Sequence, residues 1–280
     1  MASLIKNKII SLAIICCVIG CLIAVRRLGM FLENKFIYYP TKEFYYIPTD
    51  FGLEYNDVFF NAGDGVKLHG WYVPSRGSKS AILFFHGNAG NISDRIDNVV
   101  RLNSDVGVDV FIVDYHGYGK SKGRPDEHAL HLDGIAAISK LRQIVGPGKN
   151  IIVFGRSLGG AVAVDVASVE KCDAMIIEST FESIPAVASS LIPFVPKSLI
   201  RTKFDSLNRI ENVSVPKLII HGERDSLIPF EQGVALFNKA KHPKTFYPIP
   251  GADHNDTYLI AGEEYFDKIS DFISSVENQS

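Results

Sequence analysis

Short stretches made only of apolar residues recur along the chain, at 81–85, 110–113, 151–154, 175–177, 218–220 and 246–249. They do not alternate with polar residues, so both faces of each must be buried, and they are shorter than most helices. Strands inside a parallel sheet read this way. Between them lie helical spacings: Leu130, Ala137, Ile138, Leu141 and Ile144 recur every three or four residues, and Val234 and Phe237 follow Pro229. Strand alternating with helix predicts an α/β domain, doubly wound around a mostly parallel sheet. Segments 58–60 and 66–73 flank Gly63-Asp64-Gly65, a hairpin turn signal, so the sheet is expected to open with an antiparallel hairpin. The interval 181–210 breaks the rhythm. It is too long for one connection and is interrupted by Pro185, Pro193 and Pro196. Its Ile184, Val187, Leu191, Phe194, Val195 and Leu199 either form a short apolar cap or pack the core.

Charge and cysteine usage narrow the classes. With 29 Lys+Arg against 31 Asp+Glu the net charge is −2, which excludes a general nucleic-acid binder. At 46% hydrophobic residues the chain can build a sizeable core. Of its four cysteines, Cys16, Cys17 and Cys21 share one apolar run, so Cys172 has no partner within the domain and a disulfide scaffold is excluded. Cys172 precedes a predicted strand and is expected to be buried rather than reactive.

That apolar run spans 9–25 between Lys8 and Arg26. As a helix it reaches roughly 26 Å, just short of a ~30 Å hydrocarbon core, and the flanking cations can snorkel to make up the difference. A single membrane-spanning anchor over 1–30 is expected. A lipid anchor is the alternative, because Val18-Ile19-Gly20-Cys21 resembles a bacterial lipoprotein box. Charge does not decide the side of the membrane, since Lys6 and Lys8 are matched by Arg26, Arg27 and Lys35. Residues 31–54, rich in Tyr and Phe, read as a juxtamembrane connector or as a segment packed on the domain. The domain proper is expected over 55–280, with its cap at about 181–210.

The chemistry centres on Gly155-Arg156-Ser157-Leu158-Gly159, a G-x-S-x-G sequence between the strand at 151–154 and a helix containing Gly160, Ala161 and Ala163. A sharp strand-to-helix turn of this kind lifts a serine hydroxyl above the sheet edge where α/β ligands bind. Serine is a weak nucleophile unless a base takes its proton, and that base needs an orienting acid, in the chain order Ser, acid, His. His254 follows the last predicted strand, whereas His242 precedes it and falls at the wrong edge of the sheet. Asp225, in the loop after 218–220, is the preferred acid and Glu178 the runner-up. Asp253 and Asp256 stand too close to His254 to reach behind its ring and read as loop solvation. An oxyanion needs two converging N–H donors. The backbone of Leu158 and that of Asn88, in the loop His86-Gly87-Asn88-Ala89-Gly90-Asn91, fall where they are required. His128, His131 and Asp133 lack a third strong ligand and read as solvated helix residues rather than a metal site. Neither metal nor cofactor is expected.

Five segments occur in order: His86-Gly87-Asn88-Ala89-Gly90-Asn91, Asp114-Tyr115-His116-Gly117-Tyr118-Gly119, Gly155-Arg156-Ser157-Leu158-Gly159-Gly160, His221-Gly222-Glu223-Arg224-Asp225 and His254-Asn255-Asp256-Thr257. Together they resemble α/β-hydrolases, specifically the membrane-anchored serine hydrolases of the Bem type, over about 35–275. The resemblance implies the α/β-hydrolase fold and a triad on the positions matching Ser157, Asp225 and His254. His116 departs from the pattern, which usually has Arg there. Some relatives cleave palmitoyl thioesters from proteins, which implies acyl substrates by analogy: a small or lipid-like ester or thioester, or an acylated protein. A serine peptidase on the same fold and a non-catalytic membrane-binding module are the competing readings.

Overall fold

The structure, a computed structural model, describes residues 33–192, 194 and 196–279. The expected anchor over 1–30 lies outside the described residues. Among the described residues no helix is long and apolar enough to cross a membrane.

The described residues from Tyr39 to Gln279 form one compact unit around an eight-stranded sheet. Its strands are β1 (Asn56–Asn61), β2 (Lys67–Val73), β3 (Ser80–Phe85), β4 (Asp109–Asp114), β5 (Asn150–Arg156), β6 (Ala174–Glu178), β7 (Lys217–Gly222) and β8 (Lys244–Ile249). They lie in the order β8-β7-β6-β5-β3-β4-β2-β1. The β1–β2 hairpin and the β2–β4 pair are antiparallel, and every other neighbour is parallel. Each of the six short apolar stretches lies in one of these strands. The reason is two-sided cover: every residue of β3, β4, β6 and β7 is buried. On one face, Ile82, Phe84, Ile112 and Phe154 pack with Val99 and Leu102 of α1 (Ile96–Ser104) and with Tyr265, Ile269 and Ile273 of α6 (Glu263–Glu277). The other face carries α2 (Glu127–Val145) and α3 (Leu158–Val169). These two approach so closely that a methyl on Gly134 would sit 2.4 Å from Val166 Cγ2. Helix α5 (Phe230–Lys239) connects β7 to β8.

The compact unit begins at Tyr39 rather than at 55. Tyr39–Pro40 pairs in parallel with Ala89–Gly90, and Phe44 meets the buried Trp71 ring edge-on at 5.5 Å. Ile47, Leu53 and Tyr55 also pack on the core. Of the two readings of this aromatic stretch, packing on the domain describes residues 39–54.

The insertion between β6 and β7 is an arm tied at its base. It holds α4 (Ile184–Leu191) and one helical turn, Ser206–Arg209. The Ile184 N–H donates to the Lys203 carbonyl (2.8 Å) and the Leu207 N–H to the Glu182 carbonyl (3.0 Å). Glu127 at the start of α2 accepts from the Lys203 and Phe204 N–H groups, both at 2.7 Å. The arm's apolar end is not in the core: Leu191 is 51% and Phe194 94% exposed.

Candidate active site

Ser157 stands between β5 and α3 at φ 55°, ψ −119°, a left-handed conformation that non-glycine residues seldom adopt. Two close approaches explain the glycines around it. A methyl on Gly155 would lie 2.1 Å from the Gly159 carbonyl oxygen, and one on Gly159 would lie 2.0 Å from that of Phe85. The Ser157 N–H donates to the Glu178 carbonyl at 2.8 Å, which pins the turn to the end of β6.

The loops after β7 and β8 meet above this turn. His254 Nε2 is 3.0 Å from Ser157 Oγ, and its Nδ1 is 2.8 Å from Asp225 Oδ2. Asp225 Oδ1 accepts the N–H groups of Leu227 (3.0 Å) and Ile228 (2.7 Å), so the carboxylate is held with its other oxygen toward the imidazole. That arrangement favours the tautomer with its proton on Nδ1, leaving Nε2 to accept from the serine hydroxyl. Burial alone would raise the Asp225 carboxyl. Hydrogen bonds from His221 and His254, the His254 charge and the Ile228 N–H outweigh it and hold the group well below the usual carboxylate range.

Glu178, the runner-up acid, faces elsewhere. It is fully buried, accepts from the hydroxyls of Thr257 and Tyr265 (2.8 Å from the latter) and lies 3.3 Å from Arg156 Nε. Arg156 in turn donates from Nη2 to the His254 carbonyl at 2.9 Å. Glu178, Arg156 and the His254 backbone thus form a brace behind the imidazole. Asp253, expected as a solvated loop residue, instead accepts from the Ser226 N–H (2.7 Å) and hydroxyl (2.8 Å) and from the His254 N–H (2.7 Å). It clasps the Asp225 loop to the His254 loop.

A cavity of about 130 Å³ opens beside Ser157 and His254, walled by Gly87, Asn88, Ala89 and Leu227. Leu158 opens α3, where the first N–H groups of a helix have no intrahelical acceptor. The Asn88 carbonyl is fixed by the Tyr118 hydroxyl (2.6 Å) and the Tyr39 N–H (3.0 Å), which sets the orientation of the facing loop. Burial and the Arg95 cation push His86 down to about 3, so this histidine is neutral; its Nδ1 lies 2.7 Å from the Gly87 carbonyl.

The remaining candidates have local partners. His116 lies between Asp133 and Asp64; burial alone would lower its imidazole, but the two carboxylates outweigh that and hold it above its usual value. Asp133 is therefore engaged by His116, and His131 pairs with Asp165 at 2.6 Å. Among the described residues no cluster of His, Cys, Asp and Glu is arranged to hold a metal ion. Burial pushes the Cys172 thiol up to about 12, and His242 is exposed. Sequence reasoning passed over Arg156 and His221, although both stand inside the motifs that it used.

Comparison with known proteins agrees with this architecture. A family profile described as "alpha/beta hydrolase fold" matches residues 80–201. The uncharacterized protein YfhR of Escherichia coli K12 is 36% identical over 87% of this chain and 88% of its own. The chain belongs to the α/β-hydrolase superfamily. Protein bem46 of Schizosaccharomyces pombe is 33% identical over 81% of this chain and 79% of its own. The alpha/beta hydrolase domain-containing protein 17C of Xenopus tropicalis is 36% identical, covering 71% and 63%. In structure, this α/β-hydrolase is similar to an esterase from Pyrococcus furiosus, with a TM-score of 0.71 at 23% identity over 85% of this chain and 97% of the other. That likeness speaks for the fold alone.

Proposed function

We propose that this α/β-hydrolase is a membrane-attached serine hydrolase that cleaves an ester or thioester through an acyl-enzyme. The observation that carries the reading is the continuous relay from Asp225 through His254 to Ser157. His254 takes the Ser157 proton as Oγ attacks the acyl carbonyl; the leaving group departs with that proton; His254 then activates water to release the acid and regenerate the serine. Asp225 stabilises the imidazolium, and the N–H groups of Leu158 and Asn88 receive the oxyanion. No cofactor is needed. Membrane attachment rests on the apolar run at 9–25. It makes lipid-like esters and acylated proteins the natural substrate class.

The test is the purified protein against a panel of esters, thioesters and aminopeptidase substrates, with Ser157→Ala as control. Ester or thioester turnover that disappears in the control is the expected outcome. Preference for amides would establish the peptidase reading instead. Equal rates in the control, or no labelling of Ser157 by a fluorophosphonate, would leave a binding module.

A further inference from the structure

Besides the polar groups of the relay, the cavity beside Ser157 is walled by two guanidinium groups, Arg95 and Arg156. Arg156 has its counter-charge in Glu178. Arg95 does not. Its Nη2 donates to the Ala89 carbonyl (2.9 Å) and its Nη1 to the Asp94 carbonyl (3.2 Å), both neutral acceptors. Its Nε is buried without an acceptor among the described residues. The adjacent Asp94 carboxylate is engaged by the Asn91 N–H at 2.8 Å. Arg101, Arg142 and Arg209, all remote from the cavity, each face a carboxylate.

The distance to the nucleophile is short. A methyl group on Gly87 would meet Ser157 Cβ at 3.7 Å and Arg95 Nη2 at 4.0 Å, so one glycine separates the serine from the guanidinium. Burial and the neighbouring Arg156 both pull the Arg95 guanidinium below its ordinary proton affinity, with Asp94 in partial opposition. Like charges facing one small, partly desolvated cavity are relieved by an anion, and a guanidinium is the side chain best shaped to hold a carboxylate or phosphate.

Taken with the hydrolase reading of Ser157, on which it rests, the geometry points to Arg95 as a specificity residue that binds an anionic group, carboxylate or phosphate, a few bonds from the scissile carbonyl. Within the proposed ester and thioester class, the preferred substrate then carries a negative charge close to the scissile bond. The anion belongs either to the acyl part or to the leaving group.

Two matched pairs separate these sources: p-nitrophenyl monosuccinate against p-nitrophenyl butyrate for the acyl side, and acetylglycerol 3-phosphate against monoacetylglycerol for the leaving-group side. In at least one pair kcat/KM should favour the anion tenfold or more at low ionic strength, and the preference should shrink in 0.5 M salt by screening (a Debye length of about 4 Å). Arg95→Gln should lower that ratio at least tenfold, while Arg95→Lys keeps it within about threefold. A neutral preference in both pairs overturns the proposal. So does an equal loss on both members in Arg95→Gln, which would make Arg95 only a support for the Ala89 carbonyl. Calorimetric titration of the Ser157→Ala protein with monomethyl succinate and with methyl butyrate reads the preference without turnover. Failed hydrolysis, which counts against the esterase reading, is thereby distinguished from absent anion selectivity, which counts against this one.

Discussion

At φ 55° Ser157 occupies a backbone well that costs a non-glycine residue about 1–3 kcal/mol. Ser157→Ala keeps that cost and removes the hydroxyl, so kcat should fall by several orders of magnitude with little change in Tm. Ser157→Gly should be equally inactive yet melt a few degrees higher than Ser157→Ala, by relief of about 1 kcal/mol. Equal melting temperatures would mean that the turn is unstrained. His254→Ala should match Ser157→Ala in kcat, with the double variant adding little, because the two act as a unit. Asp225 and Glu178 separate activity from stability. Asp225→Asn should be crippled, whereas Glu178→Gln should keep much of its activity and lose stability, since it leaves Arg156 buried without its counter-charge. The reversed pattern would identify Glu178 as the acid. The depressed Asp225 carboxyl also has a pH signature. A group whose folded pKa lies below its unfolded value (about 4) stabilises fully above that value and loses its contribution as pH falls through the folded one. The Tm gap between wild type and Asp225→Asn should therefore be widest near pH 6 and narrow below about pH 4.

At the scale of elements, the sheet was legible because its strands are buried on both faces, which leaves apolar stretches with no polar alternation. The strand-to-helix turn at Ser157 was legible because a side chain on Gly155 or Gly159 would lie about 2 Å from a backbone oxygen, so glycine is required at both positions. The Glu178–Arg156 brace was not, since its donors Thr257 and Tyr265 lie 79 and 87 residues further on and nothing local marks them. The aromatic content of 39–54 was equally compatible with lipid and with Trp71; only packing separates these. The inserted arm was visible as an interruption, but its exposed end was not. None of its described apolar residues walls the cavity at Ser157. An acyl chain too long for about 130 Å³ must run out over neighbouring surface. Leu191→Ser and Phe194→Ser should leave Tm nearly unchanged, as exposed positions do, and raise KM for long acyl esters more than for acetyl esters. A lower Tm without chain-length dependence would place these side chains in the core.

For the whole molecule, the apolar run at 9–25 and the catalytic domain make separable contributions. Deleting residues 1–27 removes no group of the relay, so turnover of a short soluble ester should stay nearly constant. Turnover of a liposome-borne acyl substrate should fall about tenfold or more, the usual gain from tethering. Equal rates on liposomes would reduce the run to retention in one compartment. The brace behind His254 has a further consequence, set by the direction of protein synthesis. Arg156 and Glu178 leave the ribosome well before their partners, and Arg156 waits 98 residues for the carbonyl that it holds. A nascent chain ending before Tyr265 has a buried acid short of one donor, and the face of its sheet that α1 and α6 share is left partly uncovered. Prematurely terminated products should therefore be both inert and prone to degradation. Translation itself should thus delay the first turnover until α6 has been made.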